Sequence, residues 1–239
     1  LRNVLPEAMF VGAFETDFHR TIPLERCVYG VPYEWMEKYG VRRMGYHGAS
    51  HSYVASLLNE WEGKRYRAVS CHLGGSGSIC AIENSESRDS SFGLTLQTGL
   101  IHNNRAGAMD ADIVYYLRAQ GLSDEEIQRG MTKDGGLKGI SGVSSDLRYV
   151  LEAAEAGNER AKLAVDVYVT GIVRYIAAFA AELGGLDCLA FTGGIGENSD
   201  VIRKMVCERL EHMGVRLSTR RNTKEKGDRR ISKKRSKVR

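Results

Sequence analysis

FTGGIGENS, residues 191–199, decides the reading of this chain: an apolar run from Cys188 enters a glycine-dense turn at Gly193, Gly194 and Gly196 and then a helix. Glycines let the backbone turn tightly and approach a ligand, and Ser199 is placed to cap an amphipathic helix over residues 200–213. Strand, glycine turn and helix start in this order form a nucleotide-handling element. The same composition also serves a plain strand-to-helix connection, so a second feature must decide.

That feature is RAVSCHLGGSGSICAI, residues 67–82, where two β-rich runs flank Gly74-Gly75-Ser76-Gly77-Ser78 and predict a hairpin with a glycine–serine tip. Successive small residues can aim several N–H groups and hydroxyls at phosphate oxygens, with His72 at the mouth as a donor. A flexible hairpin tip would look alike on its own. The two loops together favour ATP or ADP.

The chain has 239 residues, 42% of them hydrophobic, enough to bury a large core in one or two domains. No uninterrupted apolar run approaches the roughly 18 residues that span a bilayer, and LRNVLPEAMF lacks the basic-then-apolar order of a secretory signal. A cytoplasmic location and no membrane partner are the expectation. Cys27, Cys71, Cys80, Cys188 and Cys207 are odd in number and lack C-x-x-C spacing, which argues for reduced, buried thiols. Residues 218–239 hold 11 Lys or Arg against 2 acids, so a formal net charge of +4 leaves the remainder at −5. Such an end can bind nucleic acid, but it contains no aromatic residue, and the reading is a solvated end without a nucleic-acid partner.

Strand signals fall at residues 9–14, 68–72, 79–82 and 186–191. Helices are expected over residues 51–61 with Ser50 as N-cap, 110–118, 124–131 from the Ser123/Glu126 capping box, and 159–183, stopped by Gly184-Gly185. Glycine-rich turns are expected at 135–142. Mixed strands and helices with phosphate loops indicate an α/β layered fold.

FETDFHRTIP (14–23), YGVRRMGYHGASHSYVA (39–55), HLGGSGS (72–78), FGLTLQTGLIHNNRAGAMD (92–110), GISGVSSDLR (139–148) and FTGGIGENS occur in the order and wording of the acetokinase family, the acetate, propionate and butyrate kinases. The chain therefore resembles that family along most of its length. The resemblance implies the ribonuclease-H-like architecture of actin, sugar kinases and acetate kinases, and mostly its C-terminal nucleotide-binding domain. Residues 1–22 would be the rim of an N-terminal domain, 23–217 the nucleotide-binding and catalytic domain, and 218–239 a basic approach to a further strand. A family member is longer at both ends, where it carries magnesium-facing residues and the substrate-holding arginine, so no metal ligand is assigned in this chain.

The implied activity is ATP-dependent phosphorylation of a short-chain carboxylate, acetate first, to an acyl phosphate, and the return of that phosphoryl to ADP, with Mg2+ and as a homodimer. Glu15, His47 and Arg105 match the catalytic positions. His72, Leu73, Gly74, Gly75 and Ser76, then Asp146, Leu147 and Arg148, then Gly194, Ile195, Gly196, Glu197 and Asn198 match the nucleotide-contacting segments. Each has a plainer alternative: His47 and His51 as core or capping histidines, Arg105 paired with Asp110, Asp146 and Arg148 as a polar loop. Three departures bear on substrate and rate. Glu15 stands for the usual Asp, with Asp17 on the same face if the segment is a strand; HLGGSGS replaces HLGNGAS; GAMDA replaces GDIDP. The alternative function is a catalytically inactive nucleotide-binding remnant, and a more distant one a nucleic-acid module led by the basic tail.

Overall fold

The computed structural model describes residues 2–63, 65–224 and 227–239. In chain order the helices are α1 (Leu24–Cys27), α2 (Tyr33–Tyr39), α3 (Gly48–Glu62), α4 (Ile113–Ala119), α5 (Asp124–Thr132), α6 (Gly136–Ser141), α7 (Leu147–Glu155), α8 (Glu159–Glu182), α9 (Gly193–Asn198), α10 (Asp200–Arg209) and α11 (Thr219–Lys224). The strands are β1 (Arg67–Leu73), β2 (Gly77–Glu83), β3 (Glu86–Ser90) and β4 (Cys188–Thr192), in the spatial order β3-β2-β1-β4. β1, β2 and β3 form an antiparallel meander, and β4 lies parallel to β1 with His72 opposite Thr192.

Period-two alternation explains the layers. Val69, Cys71, Leu73, Ile79 and Ala81 join one cluster with α8, while Ala68, Cys80 and Ile82 join another with Val54, Ala55 and Leu58 of α3. The sheet is thus covered on both faces, and β1 and β2 read as near-continuous apolar runs for that reason. Ser70, His72 and Ser78 fall on the α3 face, where the histidines of α3 arrive.

The long α8 packs on the sheet as expected, capped by Asn158 and followed by Gly184 in a left-handed conformation. It is long and apolar enough by composition to cross a membrane. Here Ala161, Val165, Tyr168, Val169, Ile172, Ile176 and Phe179 are buried in the core instead. The Ser123/Glu126 capping box and the Ser199 cap of α10 both form. All five cysteines are free and buried.

Several expectations need correction. Residues 9–14 form no strand: Met9, Val11 and Phe14 are exposed, and among the described residues no strand pairs with the segment. Glu15 and Asp17 therefore do not share a strand face, since Asp17–Thr21 is a 3-10 turn. Helix α3 starts at Gly48, so His47 and not Ser50 holds the N-cap position. The 110–118 helix starts at Ile113, after Asp110 accepts a hydrogen bond from the Asp112 N–H. The 200–213 helix ends at Arg209, with a separate 3-10 turn at Glu211–Met213. Much of 135–142 is helical as α6, and the glycines after β4 enter α9 directly instead of forming a loop.

The basic end is not a solvated tail. Leu217 bridges Ser232, Val215 bridges Val238, and Val238 is buried. Arg230 and Arg239 both pair with Glu62 at the end of α3, and Arg239 exchanges backbone hydrogen bonds with Asp187 and Leu189 beside β4. Two of its cations, Arg230 and Arg239, pin the segment to the domain.

Candidate active site

The parallel pairing of β1 with β4 brings the two glycine segments together. Because His72 faces Thr192, Leu73-Gly74 and Gly193 leave the sheet side by side at the carboxyl ends of the strands, where ligands of open α/β sheets bind. Gly193 has φ +76, and a Cβ there would stand 2.7 Å from the Leu73 carbonyl oxygen, so only glycine fits. Gly194 is exposed with nothing within 4 Å of its Cβ direction. It borders open space.

The hairpin tip is held from below. His102, buried and stacked on Phe92 at 5.4 Å, accepts from the Gly77 N–H on Nδ1 at 3.0 Å, and Asn103 N–H donates to the Gly75 carbonyl at 3.2 Å. Gly74 N–H is spent on the Ser76 carbonyl. Among the described residues the N–H groups of Gly75 and Ser76 have no acceptor, so these two are the tip donors open to an anion. The side chains of Leu73 and Leu147 lie in the core, which leaves them only backbone groups to offer.

His47 takes φ +57, a left-handed conformation uncommon outside glycine and typical of sites under functional constraint. Its ring lies 4.0 Å from that of His72 and 5.2 Å, edge-on, from Phe92. Burial, then the proximity of His72, His102, Arg105 and His19, pushes its pKa down to about 3, so the ring is neutral at neutral pH. His72, lowered by burial, is pulled back up by the carboxylates of Glu15 and Glu197. His102 is pushed down to about 4 by burial and Arg105. By contact, the ring pair of His47 and His72 stands at the end of β1, where the hairpin tip begins.

Arg105 is not paired with Asp110; it donates from Nη1 to the Leu96 carbonyl at 3.2 Å and is partly buried, which lowers its pKa. No carboxylate among the described residues forms a salt bridge with it, so its remaining donors are uncommitted. The Glu15 carbonyl accepts from the Gly48 N–H at 2.8 Å, which fixes that segment against the start of α3.

Asp146 and Arg148 form a 2.6 Å ion pair with each other at the start of α7, and the arginine holds the Asp146 carboxyl down at about 2. Neither bonds to the hairpin tip or α9. Asn198 donates from Nδ2 to the Gly194 carbonyl, and Thr192 Oγ1 to Glu197, which braces α9. The strongest brace is Arg203, a residue that sequence reasoning passed over. Buried to 3% exposure, it donates to the Gly196 and Glu197 carbonyls and to both oxygens of Asn222. On an amphipathic helix an arginine reads as surface, and only the fold-back of residues 218–239 turns it inward. His102, Ser70 and Ser78 were also unassigned, although two serines inside buried strands are a usable signal.

Among the described residues no group of three or more His, Cys, Asp or Glu is placed to hold a metal ion.

The family model described as "Acetokinase family" matches residues 1–239. An acetate kinase of Carboxydothermus hydrogenoformans is 43% identical over 225 residues, 92% of this chain and 56% of that protein. One from Dictyoglomus thermophilum is 44% identical over 230 residues, 95% of the chain and 57% of the protein. The crystal structure of Porphyromonas gingivalis acetate kinase superposes with a TM-score of 0.93 at 40% identity, covering 99% of this chain and 61% of that one. A propionate kinase from Francisella tularensis gives 0.93 at 34% identity, covering 99% and 62%. The chain thus spans under two thirds of the length of these relatives and shares their α/β fold.

Proposed function

The chain belongs to the acetokinase family, and from that membership we propose that the protein it represents moves a phosphoryl group between ATP and a short-chain carboxylate, acetate first. The carboxylate oxygen attacks the γ-phosphorus, the bond to the β–γ bridging oxygen breaks, and ADP leaves; the reverse reaction regenerates ATP. A carboxylate is already nucleophilic, so the site has to position the groups and neutralise charge on the equatorial phosphoryl oxygens. Arg105, charged at any working pH and with uncommitted donors, suits two of those oxygens. Neutral His47 supplies one further N–H. The Gly75 and Ser76 N–H groups and the α9 segment 194–198 would cradle the nucleotide phosphates, with Asp146, Leu147 and Arg148 in reach of its nucleoside end. Mg2+ would enter with the nucleotide, neutralising phosphate charge.

The observation that carries this reading is the side-by-side exit of the two glycine segments from the sheet at the ends of β1 and β4, with the His47 and His72 rings 4.0 Å apart beside them. In the same proposal residues 1–22 edge an N-terminal domain, 23–217 form the nucleotide-binding domain, and 218–239 lead toward a further strand. Cytoplasmic location and homodimerisation are part of it. Trapping acyl phosphate with hydroxylamine from ATP, Mg2+ and acetate tests the reaction. Arg105→Ala should lower kcat by about 10²–10³-fold, the usual loss on removing one transition-state donor. ADP binding without any acyl transfer in the full-length protein would instead mark an inactive nucleotide-binding relative.

A further inference from the structure

Two serines interrupt the buried strands on the face turned toward α3, and each is paired to a histidine of that helix. Ser70 Oγ lies 3.0 Å from His51 Nδ1. His51 Nε2 lies 2.8 Å from Ser78 Oγ, and Ser78 Oγ lies 2.9 Å from His47 Nδ1. Ser70, Ser78 and His51 have 0% exposure, so water does not complete any of these bonds. The four side chains form one unbranched line that ends at the open Nε2 of His47.

We infer that this line has a single direction, Ser70 to His51 to Ser78 to His47, and that it holds His47 as the Nε2–H tautomer; Ser70, His51 and Ser78 are then positioning residues for phosphoryl transfer, a role that rests on the function proposed above. The direction follows from counting donors. A neutral imidazole has one N–H and one acceptor nitrogen, and each serine has one O–H. If Ser70 donates to His51 Nδ1, His51 Nε2–H donates to Ser78, Ser78 donates to His47 Nδ1, and every buried proton has an acceptor. His47 then carries its proton on Nε2, facing the site. Reversed, His47 Nδ1–H donates to Ser78, Ser78 to His51 Nε2, and His51 Nδ1–H to Ser70. The Ser70 hydroxyl proton is then left buried, with no acceptor among the described residues. An unsatisfied buried donor disfavours that arrangement by roughly an order of magnitude or more.

Both rings are neutral under working conditions. Burial, with the neighbouring histidines, holds His51 well below its ordinary value, and His47 is likewise depressed. The consequence is chemical. A neutral Nε2–H gives a hydrogen bond to a phosphoryl oxygen without adding charge, whereas the other tautomer would present a lone pair to an anion and repel it.

Long-range 1H–15N NMR of the 239-residue chain carrying 15N-labelled histidine reads each ring's tautomer directly. The expected result is His47 and His51 both protonated on Nε2. In Ser70→Ala the direction is no longer set, and the His47 nitrogen shifts should move toward values averaged over the two tautomers; Ser70→Thr, which keeps the hydroxyl, should restore them. His47 protonated on Nδ1 in the unaltered chain overturns the inference, even if Ser70→Ala fails to fold. So do His47 shifts unchanged in a folded Ser70→Ala. Absence of kinase activity leaves the tautomer result standing and counts only against the proposed function. An Nδ1–H His47 in an active kinase counts only against the directed line.

Discussion

Replacing Arg203 by methionine should destabilise the chain and loosen the nucleotide segment together. The guanidinium makes four hydrogen bonds of 2.6–2.8 Å, to the carbonyls of Gly196, Glu197 and Asn222 and to the Asn222 side chain. Glu197 is exposed, so its carbonyl can turn to water; Gly196 and Asn222 are buried, which leaves three acceptors dry. At about 1–3 kcal/mol for each unsatisfied group the loss is about 3–9 kcal/mol. Relief of the desolvated charge and burial of the methionine side chain offset part of it, for a net loss of about 2–5 kcal/mol. That is a large share of the roughly 5–15 kcal/mol that holds a domain together. Urea unfolding followed by circular dichroism measures the stability, and an ADP titration at low denaturant measures the site. Arg203→Lys should recover less than half of the loss, because a single ammonium cannot serve the fork of acceptors on two segments. A stability change below about 1 kcal/mol with ADP affinity intact would refute the role given to this arginine.

Stability should also fall as pH drops from 7 to 5. His51 and His102 are buried with depressed folded-state values, so the unfolded chain takes up protons below its ordinary histidine pKa while the folded chain does not, and stability present above that pKa is lost below it. For His102, pushed down to about 4, the loss by pH 5 is about 2 kcal/mol, and His51 adds to it in the same direction; urea unfolding across the range measures it, and a flat profile would contradict the burial argument. Gly193→Ala should cost about 2 kcal/mol or more in the same assay, from the left-handed backbone and the 2.7 Å approach to Leu73, while Gly194→Ala, at an open position, should cost less than about 1 kcal/mol.

What the sequence disclosed was governed by periodicity and local chemistry. β1, β2 and β4 were legible as apolar runs bounded by glycine, α8 as a long apolar helix, and α5 and α10 through their caps. β3 was not: ESRDS is polar and reads as a turn. It becomes a strand because β2 pairs with it and because Ser87 binds His19 while Asp89 faces Arg43. The 9–14 run erred in the opposite sense, since apolar alternation needs a partner edge to become a strand. His72 was legible at the mouth of the hairpin, whereas His47 and Arg105 came from resemblance to a family; the rings of His47 and His72 lie 4.0 Å apart. The lone strand serines, the stacked His102 and the inward Arg203 depend on contacts between segments 19 to 31 residues apart or on the fold-back of the basic end. No local pattern in the sequence encodes those contacts.

If the hairpin tip and the 193–198 segment form one nucleotide site, the chain should bind nucleotide without further partners. Calorimetric titration of the 239-residue chain with Mg-ADP measures this. Micromolar to sub-millimolar binding is expected, lost in Gly194→Val, whose side chain enters open space without disturbing the fold, and weakened in Arg148→Ala. No binding by the folded chain, or equal binding by a folded Gly194→Val, would contradict it.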